Sequence, residues 1–179
     1  MMIALVGLGF FLSGCGSLMV DANTPPTATA GTARIYFALD QGYPPGSGFI
    51  TEGTRLLGFI SNGKHFVADV PAGQHLLILK SESDEAIQGN FEAGKTYAIR
   101  LFVTPGVMST RTYWTPLKNS GEDLKLRKEM IAETELTVLV PEKAAEWEAD
   151  EKEELEERTK SFTSGEDKIE GTIGPEHGL

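Results

Sequence analysis

The chain has 179 residues, 40% of them hydrophobic and 23% charged, which excludes a fully disordered chain and a membrane protein of many spans. That length allows one domain with appendages rather than two full domains. A single cysteine rules out an intramolecular disulfide framework, and a formal charge of −10 has the wrong sign for a nucleic-acid binder working through a basic patch.

The first segment, residues 1–14 (MMIALVGLGFFLSG), is uncharged and apolar and falls short of the roughly 20 residues needed to cross a bilayer. A short apolar run ending in small residues has the form of a secretory signal. It closes on Leu12-Ser13-Gly14-Cys15, which contains the chain's one cysteine. These four residues resemble the lipobox of bacterial lipoproteins: Leu, two small residues, then Cys. The resemblance implies cleavage between Gly14 and Cys15, transfer of a diacylglyceryl group to the Cys15 thiol, and acylation of the new amino terminus. Several acyl chains, at about 0.8 kcal/mol per buried methylene, would hold the protein to the membrane far longer than the marginal grip of one myristoyl chain. The run lacks the Lys or Arg usual at the start of such a signal, a feature that favours the other reading of this segment, a buried N-terminal strand or helix with an incidental cysteine. Gly16 stands where an Asp would, in enteric bacteria, retain a lipoprotein at the inner membrane. The resemblance therefore implies an outer-membrane lipoprotein facing the periplasm.

Lipidated Cys15 and the rest of residues 15–31 (CGSLMVDANTPPTATAG) lack apolar period and contain two prolines. They are expected to form a flexible tether which, extended at roughly 3.1 Å per residue, would hold the domain about 50 Å from the membrane.

From Thr32 the pattern has period two, with turns about every ten residues, and residues 32–115 are expected to form one domain. Ala33, Ile35, Phe37 and Leu39 alternate with Arg34, Tyr36 and Ala38 as a half-buried strand. Residues 41–48 (QGYPPGSG) form a loop by composition. The apolar run Arg55 to Ile60 meets Asn62-Gly63, the strongest short hairpin signal. Strand His65 to Val70, with Phe66, Ala68 and Val70 on one face, closes at Pro71-Ala72-Gly73. Leu76 to Leu79 is apolar on both faces and belongs in the centre of a sheet. Ala86 to Phe91 and Lys95 to Val103 follow, the latter with Tyr97, Ile99, Leu101 and Val103 pointing one way. The expected fold is mainly β: a small antiparallel β-sandwich or meander with a C-terminal, α-helical, acidic extension.

The residues Ala33-Arg-Ile-Tyr-Phe37, Gly58-Phe-Ile-Ser-Asn-Gly63, Phe66-Val-Ala-Asp-Val-Pro-Ala-Gly-Gln-His75 and Glu92-Ala-Gly-Lys-Thr-Tyr97 resemble a bacterial lipoprotein family, number 2846 among the domains of unknown function, in the style of PEGA-type β-sandwich modules. The likeness runs from about Thr32 to Val103. It departs from the family pattern at His65, where a small residue is common, and at Ala98, where a second aromatic is common. Its motifs are turn and strand chemistry, so it implies a fold and transfers no catalytic residue.

Residues 1–121 carry eight acids and eight bases, so residues 122–179 hold the entire net charge. Within residues 116–164 a helix–strand–helix order is expected. A short helix would be capped by Ser120 or Asp123, followed by a strand over Thr134 to Val140, then a helix from Glu142 to about Phe162 with Pro141 at its first position. Its apolar stripe (Ala144, Trp147, Leu155, Phe162) is thin. The Trp147 end is expected to dock and the Glu-rich end to project into solvent, braced by Glu148/Lys152, Glu154/Arg158 and Glu156/Lys160. Gly165 ends the helix, and residues 165–179 are expected to be disordered.

No constellation for catalysis emerges, and no cofactor is expected. A hairpin turn centred at Ala72-Gly73 is expected to pair His75 with Val70 and His65 with Lys80, which sets the two imidazoles on the order of 17 Å apart, too far to share a metal. There is no Gly-x-Ser-x-Gly elbow, and the Gly42–Gly48 loop does not follow a βαβ pattern. The acids of Glu148 to Glu157 splay along a helix and lack the turned loop of a calcium site. Two functional readings remain. One is a non-enzymatic envelope lipoprotein, held to the membrane by acyl chains on Cys15, whose sandwich and acidic helix engage another envelope protein. The other is a small-ligand or glycan-binding module with a concave aromatic patch formed by Tyr43, Phe49 and Trp114 beside the 41–54 loop. Trp147 joins these three as a candidate partner surface.

Overall fold

Ala33, Ile35 and Phe37, like Phe66, Ala68 and Val70, are buried at every second position, and two sheets bury such faces against one another. The structure, a computed structural model, describes residues 17–105 and 110–179. The strands are β1 (Met19–Asp21), β2 (Thr32–Leu39), β3 (Ser47–Glu52), β4 (Arg55–Ser61), β5 (Lys64–Pro71), β6 (Gly73–Lys80), β7 (Glu85–Phe91), β8 (Thr96–Pro105), β9 (Thr110–Pro116), β10 (Glu135–Leu139) and β11 (Ile169–Ile173). The helices are α1 (Gly121–Glu133), α2 (Pro141–Asp150) and α3 (Lys152–Ser164), with a 3-10 turn at Pro175–His177. The first sheet has the order β1-β10-β5-β2-β8-β9 and the second β11-β7-β6-β3-β4. Ala33, Ile35 and Phe37 of β2, Phe66 and Val70 of β5, and Tyr97 and Ile99 of β8 meet Ile50, Ile60, Leu77, Leu79, Ile87 and Phe91 from the second sheet. Phe37 stacks on Phe66 and Phe91 meets Tyr97 edge-on, both at 4.9 Å between ring centres.

The result is the expected mainly β, sandwich-like fold, enclosed by helices on both sides. Over the outer face of the first sheet, α1 packs Met130, Leu126 and Ile131 against Ala38, Ala98 and Tyr36. On the outer face of the second, Phe162 of α3 sits on Ile78 and Ala86. The apolar-on-both-sides run in β6 is accounted for by this: Leu77 and Leu79 face the sandwich, while Leu76 and Ile78 face α3.

Several expectations are corrected. Antiparallel pairing dominates, but β2 with β8, β5 with β10, and β7 with β11 run parallel, so both sheets are mixed. The turns at Asn62-Gly63 and Pro71-Ala72-Gly73 are corners rather than hairpins, because β5 lies in one sheet and β4 and β6 in the other. Both edges of β5 are taken, by β2 and β10, which leaves β6 no backbone row to join. The register that paired His75 with Val70 is therefore wrong: His75 stands opposite Gly89, and His65 opposite Ala38 and Leu136. Gly63 makes its corner at φ +72°, donating its N–H to the Leu39 carbonyl while its own carbonyl takes the Glu135 N–H.

The tether is not free along its whole length. Met19, Val20 and Asp21 pair with Leu139, Val138 and Thr137, and the Leu18 carbonyl accepts the Val140 N–H at 3.0 Å. The long acidic helix is two helices, broken at Glu151 (φ −95°, ψ 3°). Its Glu-rich half lies against the protein rather than in solvent. Leu155 and Phe162 are buried, Lys80 pairs with Glu151 and Glu154, and Arg158 pairs with Asp84 and Glu154. Of the expected i,i+4 pairs Glu154/Arg158 forms, whereas Glu148 instead reaches a backbone N–H of β4. Ser120 sits at the N-cap of α1 without a side-chain bond, and the Asp123 carboxylate accepts the Lys118 N–H at 2.9 Å.

The tail is ordered, contrary to expectation. β11 runs beside β7, and the backbones of Leu179 and Thr96 exchange two hydrogen bonds of 2.9 and 3.1 Å. Arg127 of α1, 5% exposed, locks it by donating to the carbonyls of His177 (3.0 Å) and Thr96 (2.8 Å). Asn119 adds a bond to the Gly178 carbonyl.

Candidate functional site

β4 is an edge strand, and an uncovered edge invites another chain to pair with it. Two elements from far along the sequence cover it. The Leu56 N–H donates to the Glu148 carboxylate of α2 at 2.6 Å, and the Phe59 N–H points at the Met19 sulfur of β1 at 3.4 Å. α2 is set in place by its start: Val140 bonds to Leu18, and Pro141 at the first helical position begins the helix at once.

Between β1, β3, β4 and α2 lies an aromatic groove of about 450 Å³, a volume suited to a small ligand or a single chain. Phe49 and Phe59 line it with ring centres 4.9 Å apart, and Trp147 stacks on Phe49 at 4.7 Å with the planes 17° apart. Leu18 and Met19 form another wall, and Ser17, Lys143, Glu146 and Asp150 complete the lining. The Lys80 ammonium lies 5.8 Å from the centre of the Trp147 ring, within cation–π range. A second depression, about 460 Å³, shares Ser17, Met19 and Phe59 and runs to Lys64. There the Lys64 ammonium bonds to Asp21 (2.8 Å) and Glu135 (2.6 Å), which raise its pKa above the ordinary lysine value.

The expected aromatic set is not assembled. Phe49 and Trp147 come together, but Trp114 is 6% exposed within the core and Tyr43 stands 95% exposed on its loop. The patch foreseen from Tyr43, Phe49 and Trp114 is thus replaced by one made of Phe49, Phe59 and Trp147. Phe59 was visible only as part of an apolar run, and Leu18 and Met19 sit in a stretch whose composition reads as linker. Gly14 and Cys15 lie outside the described residues.

Two buried groups, His65 and Glu85, depart from ordinary behaviour away from this groove. His65 is buried in β5 with Nδ1 2.9 Å from the Thr134 hydroxyl; burial lowers its pKa, against the contact with Thr134. Glu85 is raised by burial first and by repulsion from Glu170 second, against the Trp114 backbone N–H. His75 meets the Glu52 carboxylate, which also holds Arg55. Among the described residues no group of three His, Cys, Asp or Glu side chains is placed to hold a metal ion, and no helix is long and apolar enough to cross a membrane. What the groove offers chemically is stacked aromatic surface with both charges at its rim, suited to holding apolar or amphipathic matter. No family model matches the chain, and neither a curated protein nor a solved structure matches it.

Proposed function

We propose that the chain is an envelope lipoprotein, anchored through acyl chains on Cys15, that serves as a non-catalytic binding or structural module on the periplasmic face of the outer membrane. The observation that carries this reading is the sequence Leu12-Ser13-Gly14-Cys15 closing a short apolar run, with the only cysteine at the position that takes the lipid. The acidic outer surface of α2 and α3, where Glu142, Glu153 and Glu157 are exposed, supports a binding role toward a basic partner protein.

The test is intact-mass spectrometry and palmitate labelling of the native protein. A chain beginning at Cys15 with added acyl mass, lost from the membrane fraction in Cys15→Ser, is the expected result. An unprocessed amino end with a bare thiol overturns the proposal. Partner capture is tested with Glu142→Lys, Glu153→Lys and Glu157→Lys combined, which should lower recovery of any co-purifying envelope protein. Unchanged recovery removes the helices from the interface.

A further inference from the structure

We infer that the anchored protein lies flush on the bilayer, with the edge formed by β1, the Phe49–Phe59–Trp147 groove and the start of α2 turned toward the lipid. This rests on the lipoprotein reading above and adds an orientation to it. The argument is one of covalent reach. Leu18 is fixed to the fold by the Val140 bond, and β1 follows directly, held in three-residue register with β10. From Cys15 to Leu18 there are only three Cα steps, about 10 Å at full stretch whatever their conformation. The headgroup layer on each side of a bilayer is itself roughly 5–8 Å thick. A thiol acylated at position 15 therefore leaves Leu18 no farther out than about one headgroup layer. Residues 22–31 cannot lengthen this leash, because they follow the pinned strand.

The surface that reach brings down is suited to the place. Leu18, Met19, Phe49, Phe59 and Trp147 share the groove, and aromatic residues, Trp above all, favour the headgroup level. Lys143 at the rim pairs with Glu146, and Lys80 beside the indole pairs with Glu151 and Glu154, so the rim lysines are neutralised within the fold and the lipid contact rests on the apolar and aromatic side chains. Glu142, Glu146 and Asp150 on the same helix oppose an anionic surface, so the contact is held by the covalent leash and favours zwitterionic lipid.

The experiment uses the full-length acylated protein in phosphatidylcholine–phosphatidylethanolamine vesicles, with and without lipids brominated near the headgroup. Of the two tryptophans, Trp114 is in the core, and Trp147→Phe supplies its blank. Trp147 emission should be roughly halved by the brominated lipid, as fits a ring at the interface. A Gly-Ser insertion of about 20 residues between Ser17 and Leu18, which adds roughly 25 Å of root-mean-square reach, should abolish the quenching while leaving the protein in the membrane fraction. Unquenched Trp147 on a protein whose mass shows an acylated Cys15 overturns the orientation alone. Quenching that survives the insertion also overturns it, since the groove would then be taking lipid, or the protein's own acyl chain, without the leash. A bare thiol at position 15 overturns the anchoring and the orientation together.

Discussion

Replacing Arg127 by Met should release the C-terminus while leaving the sandwich folded. The guanidinium is buried beneath the tail and donates to two backbone carbonyls, those of Thr96 and His177, with burial lowering its pKa. Hydrogen bonds from a charged donor are worth about 1.5–3 kcal/mol each, so two amount to roughly 3–6 kcal/mol. Against this, methionine removes the penalty of burying a charge, itself several kcal/mol. The carbonyl of Thr96 keeps its bond from the Leu179 N–H, whereas among the described residues no other bond to the His177 carbonyl is seen. The net loss is therefore about 2 kcal/mol, and for a chain of this size a lowering of Tm by roughly 4–8 °C. Carboxypeptidase should also begin to trim the variant, and the amides of Leu179 and Thr96 should exchange faster than those of β2. Arg127→Lys, with one donor centre in place of a fork, should fall between. If Arg127→Met melts with the parent and keeps its terminus intact, the clamp is not what orders the tail.

Four further outcomes follow from the packing, the buried ionisable groups and the β4 edge. A Cβ at Gly58 would sit 2.7–2.9 Å from three atoms of the fully buried Phe66 ring, so Gly58→Ala should cost about 1–3 kcal/mol in urea denaturation, and Phe66→Leu should recover part of it. His65 binds its proton less readily in the fold than in the unfolded chain, so stability should fall as pH drops below its ordinary value of 6.5, and His65→Gln should flatten that limb of the Tm profile. Glu85 has the opposite sign: raised in the fold, it should cost stability as pH climbs past 4.5, so Glu85→Gln should be stabilising at pH 7 and neutral at pH 3. Glu148→Ala frees the Leu56 N–H on the β4 edge, and should lower stability by about 1–2 kcal/mol and raise the fraction of dimers and larger species in size-exclusion chromatography.

The alternation in β2, β5 and β8 was legible because the interior of a sandwich enforces period two on strands buried on one side. Leu76 to Leu79 was legible for the complementary reason, that a strand covered on both faces loses the alternation. Which strands would pair was not legible at the corners. Asn62-Gly63 and Ala72-Gly73 announce a reversal of the chain, but sheet membership is decided by whether a neighbour's backbone is already occupied, as both edges of β5 are. β1 escaped notice because three residues carry no period, and their pairing partner stands more than a hundred residues later. The groove was half visible: Phe49 and Trp147 stood out as rings, while Leu18 and Met19 acquire their place only through β10. Arg127 carried no signal, because nothing local to it shows that the last residues of the chain return to cover it.

The insertion of β10 between β1 and β5 fixes an order of events during synthesis. Until Leu139 has been made, Met19 to Asp21 have no strand to join, and β5 presents one bare side. A nascent chain halted before that point would carry an open sheet and an unfastened beginning at the same time. The earliest part of the domain to be made is thus among the last to find its seat.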